Sequence, residues 1–116
     1  MASLPAAAGS VRGSEWWMTT LGIRAAWPVS RGQGVTVAVL SDGVDDLQPD
    51  LTGGAVTTGP DYTGTGQSSG QYFGEIGTGV AALIAAHGYG LDSQSGMLGV
   101  VPGAHILSVR DWLSRA

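Results

Sequence analysis

The side chains of this 116-residue sequence that are suited to proton transfer or cation binding are few, and they are unevenly spread. Asp42, Asp45, Asp46 and Asp50 crowd one short stretch, Glu75 stands alone further on, and the histidines are His87 and His105. Two carboxylates brought to one cleft, such as Asp42 and Glu75, are the minimum for an acid/base pair. The aspartate cluster suits a hard cation such as calcium, which takes several carboxylate and carbonyl oxygens, and Asp50 is its principal candidate. Each group also has a plain structural role open to it. Asp42 before Gly43 suits a turn in which the carboxylate bonds backbone amides, and Glu75 near a helix start suits the helix dipole. Cysteine is absent, so neither a disulfide nor a thiolate metal site is available. A metal site built on histidine is not supported either.

Composition narrows the function further. Lys+Arg number 5 against 9 Asp+Glu, and every basic residue is an arginine lying far from the others along most of the chain. No basic face exists to neutralise a run of phosphates, which excludes nucleic acid as a partner. An anionic membrane surface is disfavoured on the same ground. No apolar run reaches the roughly 20 residues that span a bilayer. Met1 to Ser14 lacks the charged start and apolar stretch of a signal peptide, which makes the cytoplasm the default compartment. The length suits one domain. With Gly at 20 of 116 residues, tight turns and close backbone approaches are expected rather than a helix bundle.

The elements that must position these groups are legible from periodicity. Residues 1–14 are rich in Ala, Gly and Ser and read as a disordered arm, with the folded unit running from 15 to 116. Between Glu15 and Trp27 a loose helical spacing broken by Gly22 and stopped by Pro28 predicts a short docking helix or turn. Val35 to Leu40 reads as a strand buried on both faces of a parallel sheet. Ala55 to Thr58 is a weaker strand candidate, followed by a Gly/Ser/Thr-rich loop from Gly59 to Gly70. Val80, Leu83, Ile84 and His87 recur at helical spacing, so the helix is read from Gly77 to Tyr89, ended by Gly88 and Gly90. A polar loop from Leu91 to Gly96 precedes a second strong strand, His105 to Arg110. Strand, loop, helix and strand in that order predict an α/β fold: a parallel sheet with flanking helices.

Three segments carry a resemblance. Gly32-Gln33-Gly34-Val35-Thr36-Val37-Ala38-Val39-Leu40-Ser41-Asp42-Gly43-Val44, Gly77-Thr78-Gly79-Val80-Ala81-Ala82-Leu83-Ile84-Ala85-Ala86 and Gly99-Val100-Val101-Pro102-Gly103-Ala104-His105-Ile106-Leu107-Ser108-Val109-Arg110 occur in this order. Together they resemble the amino-terminal part of the subtilisin-like serine peptidases, the subtilase family, over about Trp16 to Arg110. The first is similar to the strand and turn that carry the family's catalytic aspartate, and Gln48-Pro49-Asp50-Leu51 stands where the family has His-Pro-Asp-Leu. The second is similar to the helix that carries the catalytic histidine. The tryptophans of the lead-in, Trp16 and Trp27, are similar to those of the mycosin branch, peptidases of type VII secretion that are exported. The resemblance also implies that Asp50 occupies a position some members use for calcium.

The departures bear directly on activity. Aligned through the first segment, the family's aspartate position falls on Ser41, and through the second its histidine position falls on Ile76. The serine turn and the oxyanion asparagine of the family have no counterpart within these residues. Isoleucine cannot accept a proton, and a triad without its base and carboxylate retains only a small part of its acceleration. His87, on a continuous helix, would lie roughly 16 Å from Ile76 along the axis and cannot substitute. It is read as a helix-boundary residue, and His105 as a solvated or structural one.

Two classes of function follow. The preferred one is a non-catalytic, pseudo-peptidase module that acts by binding or assembly. A truncated parallel sheet leaves a face and an edge bare, which predicts a second copy or a partner chain to cover them and leaves room for a peptide ligand. The alternative is an enzyme: a fragment of a serine endopeptidase completed by another chain, or a cleft repurposed around Asp42 and Glu75.

Overall fold

The computed structural model describes residues 11–65 and 74–112. Three parallel strands form the frame: β1 (Thr36–Ser41), β2 (Val56–Asp61) and β5 (His105–Arg110), in the spatial order β1-β5-β2. β5 is the centre and pairs in register with both neighbours, Thr36 with His105 on one side and Val56 with Ile106 on the other. The second strand starts one residue later than the pattern predicts and runs on to Asp61, so Gly59 to Asp61 belong to it and not to the loop. Residues 66–73 of that expected loop lie outside the described residues.

Helix α3 (Glu75–Ala85) lies on one face of this sheet. Small residues set at helical spacing make the close approach possible: Gly77, Ala81 and Ala85 are all buried. They meet Val39 and Ile106 from the strands and Val44 and Leu51 from the connection after β1 in one core cluster. Burying a side chain such as Ile106 contributes roughly 1.5–3 kcal/mol.

The sequence pattern gave β1 two buried faces, and the structure corrects this. Val39 and Ser41 are buried under α3, whereas Thr36, Ala38 and Leu40 on the other face are exposed, Leu40 at 61%. On that second face the β1 positions are exposed while Val109 of the central strand is buried, so alternate positions of the apolar run of β1 differ in burial.

A second correction concerns the helix end. α3 stops at Ala85, and the chain enters a small antiparallel hairpin of β3 (His87–Tyr89) and β4 (Ser95–Leu98). The expected polar loop therefore contains the start of β4, and His87 is a strand residue rather than a helix one.

In the lead-in, Trp16–Thr20 (α1) and Ile23–Ala26 (α2) form short helices. Gly22 between them sits at φ 67, the left-handed region open to glycine. Met18 of α1 is fully buried. Residues 1–10 lie outside the described residues, but described structure starts before Glu15. The Arg12 guanidinium donates from Nε to Gly96 O at 3.0 Å and from Nη2 to Ser95 O at 3.1 Å and Ser93 O, fastening the lead-in to the hairpin. The Trp27 indole N–H donates to Val100 O at 2.9 Å, with the Arg31 guanidinium 4.7 Å from its ring centre.

Candidate active site cleft

The carboxyl ends of β1, β5 and β2 lie side by side, the position at which open α/β sheets generally place their chemistry. At the end of β1, Ser41 points under α3 and is 3% exposed. Its Oγ accepts the Gly43 N–H at 3.1 Å, closing a tight local turn. Asp42, 2% exposed, aims its Oδ1 at the Gly77 N–H, 2.7 Å away. Gly77 is in the first turn of α3, where backbone donors lack an intrahelical acceptor. Gly74, the residue before the helix, supplies no side-chain cap. Asp42 therefore caps α3 from another strand and places a carboxylate at the positive end of the helix dipole. The turn interpretation of Asp42 predicted nearby backbone amides as its partners; the Gly77 amide comes from a helix far along the sequence.

This contact requires glycine at 77. Any side chain there would overlap Gly43 O and the Ser41 Oγ. The Gly43 carbonyl also accepts the Gly74 N–H at 3.3 Å, and the Asp45 N–H donates to Thr78 Oγ1 at 3.0 Å. The start of α3 is thus fixed onto the turn after β1 by three separate links.

Ile76, one residue before Gly77, is 59% exposed. Glu75 is exposed beside it and lines a groove of about 400 Å³ together with Asp45, Gln48, Thr78, Gly79 and Met97. Asp42 is not part of that lining. The two carboxylates proposed as an acid/base pair are thus differently placed, one buried on a backbone amide and one at the rim of a groove.

Asp50 is buried and accepts the Met97 N–H at 3.1 Å on Oδ1. Burial pushes its pKa up from 3.8, opposed by that N–H and by the nearby His87 and Arg12. Among the described residues no group of three or more His, Cys, Asp or Glu side chains is placed to hold a metal ion, so the aspartates after β1 do not converge. His87 puts Nε2 on Thr52 O and Nδ1 on Gly88 O, both at 2.7 Å, joining the hairpin to the segment after the Pro49–Leu51 turn. His105 Nε2 lies 2.5 Å from Thr57 Oγ1 across the β5/β2 pair.

Sequence reasoning missed Arg110. Buried at the end of β5, it donates from Nε to Asp42 O at 3.2 Å and from Nη1 to Asp61 Oδ2 and Thr65 Oγ1, both at 3.3 Å. One guanidinium therefore joins the ends of all three parallel strands. Hydrogen bonds from the Thr63 hydroxyl and N–H and the Thr65 hydroxyl, with the Arg110 charge, hold the Asp61 carboxyl down at about 2. The available signal was a charged residue closing an apolar strand.

The sequence model of the subtilase family matches residues 32–114, most of the chain and all three parallel strands. The chain belongs to the subtilase family. An intracellular serine protease of Paenibacillus polymyxa is 35% identical over 89 residues, covering 74% of this chain and 26% of that protein. Among solved structures, the MycP3 protease of the type VII (ESX-3) secretion system is 35% identical with a TM-score of 0.66, covering 80% of this chain and 23% of its own. A chain of the periplasmic assembly from the ESX-5 inner membrane complex is 29% identical with a TM-score of 0.66, covering 84% and 26%. This subtilase chain spans about a quarter of the length of these relatives. Of the two residues that the resemblance aligns with the family's aspartate and histidine, Ser41 is buried and bonded to Gly43 and Ile76 is an exposed apolar side chain.

Proposed function

We propose that this subtilase chain is a non-catalytic, pseudo-peptidase module that acts by assembly, its open sheet face covered by a partner polypeptide or a second copy. The observation that carries this reading is the pair of residues at the triad positions. Ser41 has a hydroxyl engaged with Gly43 N–H where a carboxylate would orient the base, and Ile76 has no atom able to take a proton. The burial of Asp42 on Gly77 N–H supports it further, because a carboxylate committed to capping a helix is poorly placed for proton transfer. An exposed Leu40 on an outer strand of a parallel sheet supports the assembly part, since such sheets normally have both faces covered.

A second reading is favoured by one observation, the span of about a quarter of the length of proteases. In it, the chain is part of a serine endopeptidase whose remaining residues bring the nucleophile and a base. The ESX-5 relative's place in a periplasmic assembly supports export over the cytoplasmic default, and assembly with other chains over a solitary protein.

A fluorophosphonate probe, applied to the chain alone and to the complex purified with it, separates the readings, because labelling needs an activated serine. No labelling, with light scattering giving a defined assembly, is the expected result. A labelled serine in the complex would establish the endopeptidase reading, and a compact, unlabelled monomer would overturn the assembly reading.

A further inference from the structure

The hairpin turn that receives Arg12 is built as a cradle for a cation. Ser93, Ser95 and Gly96 direct their carbonyl oxygens at one edge of a single guanidinium, Gly96 O accepting from Nε and Ser95 O and Ser93 O from Nη2. The backbone that turns these carbonyls inward adopts left-handed φ at two residues that carry side chains, 53 at Asp92 and 55 at Ser93, a conformation with a steric cost. Gly88 lies against the same point: a Cβ there would stand 2.5 Å from Arg12 Nη2 and 2.5 Å from Ser93 O.

The family resemblance implies calcium in this neighbourhood through Asp50, and the residues do not fit a bound metal. Calcium takes about six to eight oxygens, with carboxylates commonly among them. Asp50 Oδ1 instead accepts the Met97 N–H, while the carbonyl of the same Gly96–Met97 peptide accepts the Arg12 Nε–H. The N–H and C=O of a trans peptide point in opposite directions. Carboxylate and guanidinium therefore stand on opposite sides of one peptide and polarise it in the same sense. The positive charge in the cradle belongs to a side chain whose planar fork matches separate N–H groups to separate carbonyls, a pairing that a spherical ion does not offer.

We infer that the turn at residues 93–96 is a guanidinium-binding cradle for which the chain supplies its own cation, Arg12, in place of a metal ion. Arg12 lies before residue 32, where the family match begins, so this ligand comes from outside the part shared with the family model. Glu15 Oε1, on the Leu98 N–H at 3.0 Å, and fully buried Met18 hold the lead-in independently. Removing the Arg12 side chain therefore vacates the cradle without releasing the lead-in, and the vacated cradle takes a free alkylguanidinium, the end group of an arginine side chain. The inference does not depend on whether the Ser41/Ile76 cleft is catalytic.

Thermal denaturation of the full chain and of R12A, in millimolar ethylguanidinium, ethylammonium, calcium or a chelator, tests it. The unaltered chain should melt at one temperature in all four. R12A should melt lower by roughly 5 °C or more, and ethylguanidinium should restore most of the loss saturably, with no restoration by ethylammonium or calcium. R12K, which keeps the charge without the fork, should melt close to R12A. Restoration by calcium, equal restoration by the two organic cations, no saturable restoration by ethylguanidinium, or an R12K chain as stable as the unaltered one would each overturn the inference, as would a calcium-dependent melt of the unaltered chain. Should R12A not fold, the Nε–H signals of the unaltered chain decide by nuclear magnetic resonance. Slower exchange with water at Arg12 than at exposed Arg24, unmoved by calcium, is expected; equal exchange, or loss of the protection in calcium, would overturn it.

Discussion

The two faces of the parallel sheet are made by the same three strands and have opposite characters. On one, Val39, Ser41, Ile106, Ser108 and Arg110 are buried beneath α3 and the turn after β1; on the other, Thr36, Ala38 and Leu40 of β1 stand exposed beside a buried Val109 of β5. The covered face is specified residue by residue, down to a glycine at 77 that admits the Ser41-Asp42-Gly43 turn. The open face carries apolar residues without such fitting. At the margin of the covered face, Asp42 and Gly77 are used to hold it together. The difference teaches that the remaining precision of this chain lies in joining helix to sheet, and that its unused apolar surface lies opposite.

Substitutions can break or sharpen that contrast. The largest effect is expected from Gly77→Val, which drives a side chain into Gly43 O and Ser41 Oγ. Loss of more than about 4 kcal/mol, enough to unfold the chain, is expected in urea or thermal denaturation. Ile106→Ala, on the covered face of the central strand, should cost about 2–5 kcal/mol by the same measurement. A cost below about 1 kcal/mol would mean that the covered face is no better packed than the open one.

Asp61 gives a pH-dependent test at the carboxyl edge. Its pKa is lowered in the folded state to about 2 from 3.8, so its contribution is fully present above 3.8 and is lost as the pH falls from 3.8 through 2. In Asp61→Asn that part of the acid response should be missing, and the denaturation midpoint should vary less across this window than in the unaltered chain. An unchanged acid profile would show that the Arg110 junction contributes little to joining the strand ends. The smallest effect on folding is expected from Leu40→Thr on the open face: within about 0.5 kcal/mol for the chain itself, but with loss of any assembly seen by light scattering. If the assembly survives, the open face is not the interface.

Much of this architecture was legible before any coordinates. The alternation through Val35 to Leu40 and His105 to Arg110 located two of the three six-residue strands within a residue, because apolar β-branched runs have a period that survives any packing. Helix α3 was found but overrun: the spacing of Leu83, Ile84 and His87 continues past Ala85, and the strands that follow, three and four residues long and glycine-bearing, are too short to show a period of their own. Burial on one face alone was not legible, since an apolar run reads the same whether or not something covers it.

At the site, the resemblance pointed to Ser41 and Ile76 without their surroundings, and the aspartate of the turn was read as structural or catalytic without its true partner. That partner, Gly77 N–H, lies on another element, and no local pattern encodes it. Glu15 and Arg12 were passed over for the same reason. A glutamate and an arginine in a stretch without periodicity look solvated until the hairpin that supplies their backbone partners is in place.

The strand order has a consequence for the timing of folding. The middle strand of the sheet is the last of the three to be synthesised, and both outer strands pair with it and not with each other. While the ribosome is still adding residues before His105, β1 and β2 have no neighbour to bond, and Val37, Val39 and Val56 wait without a sheet. Formation then joins positions as distant as Thr36 and His105 in one late step, a topology that favours slow folding and prolonged exposure of apolar strands to chaperones or other chains.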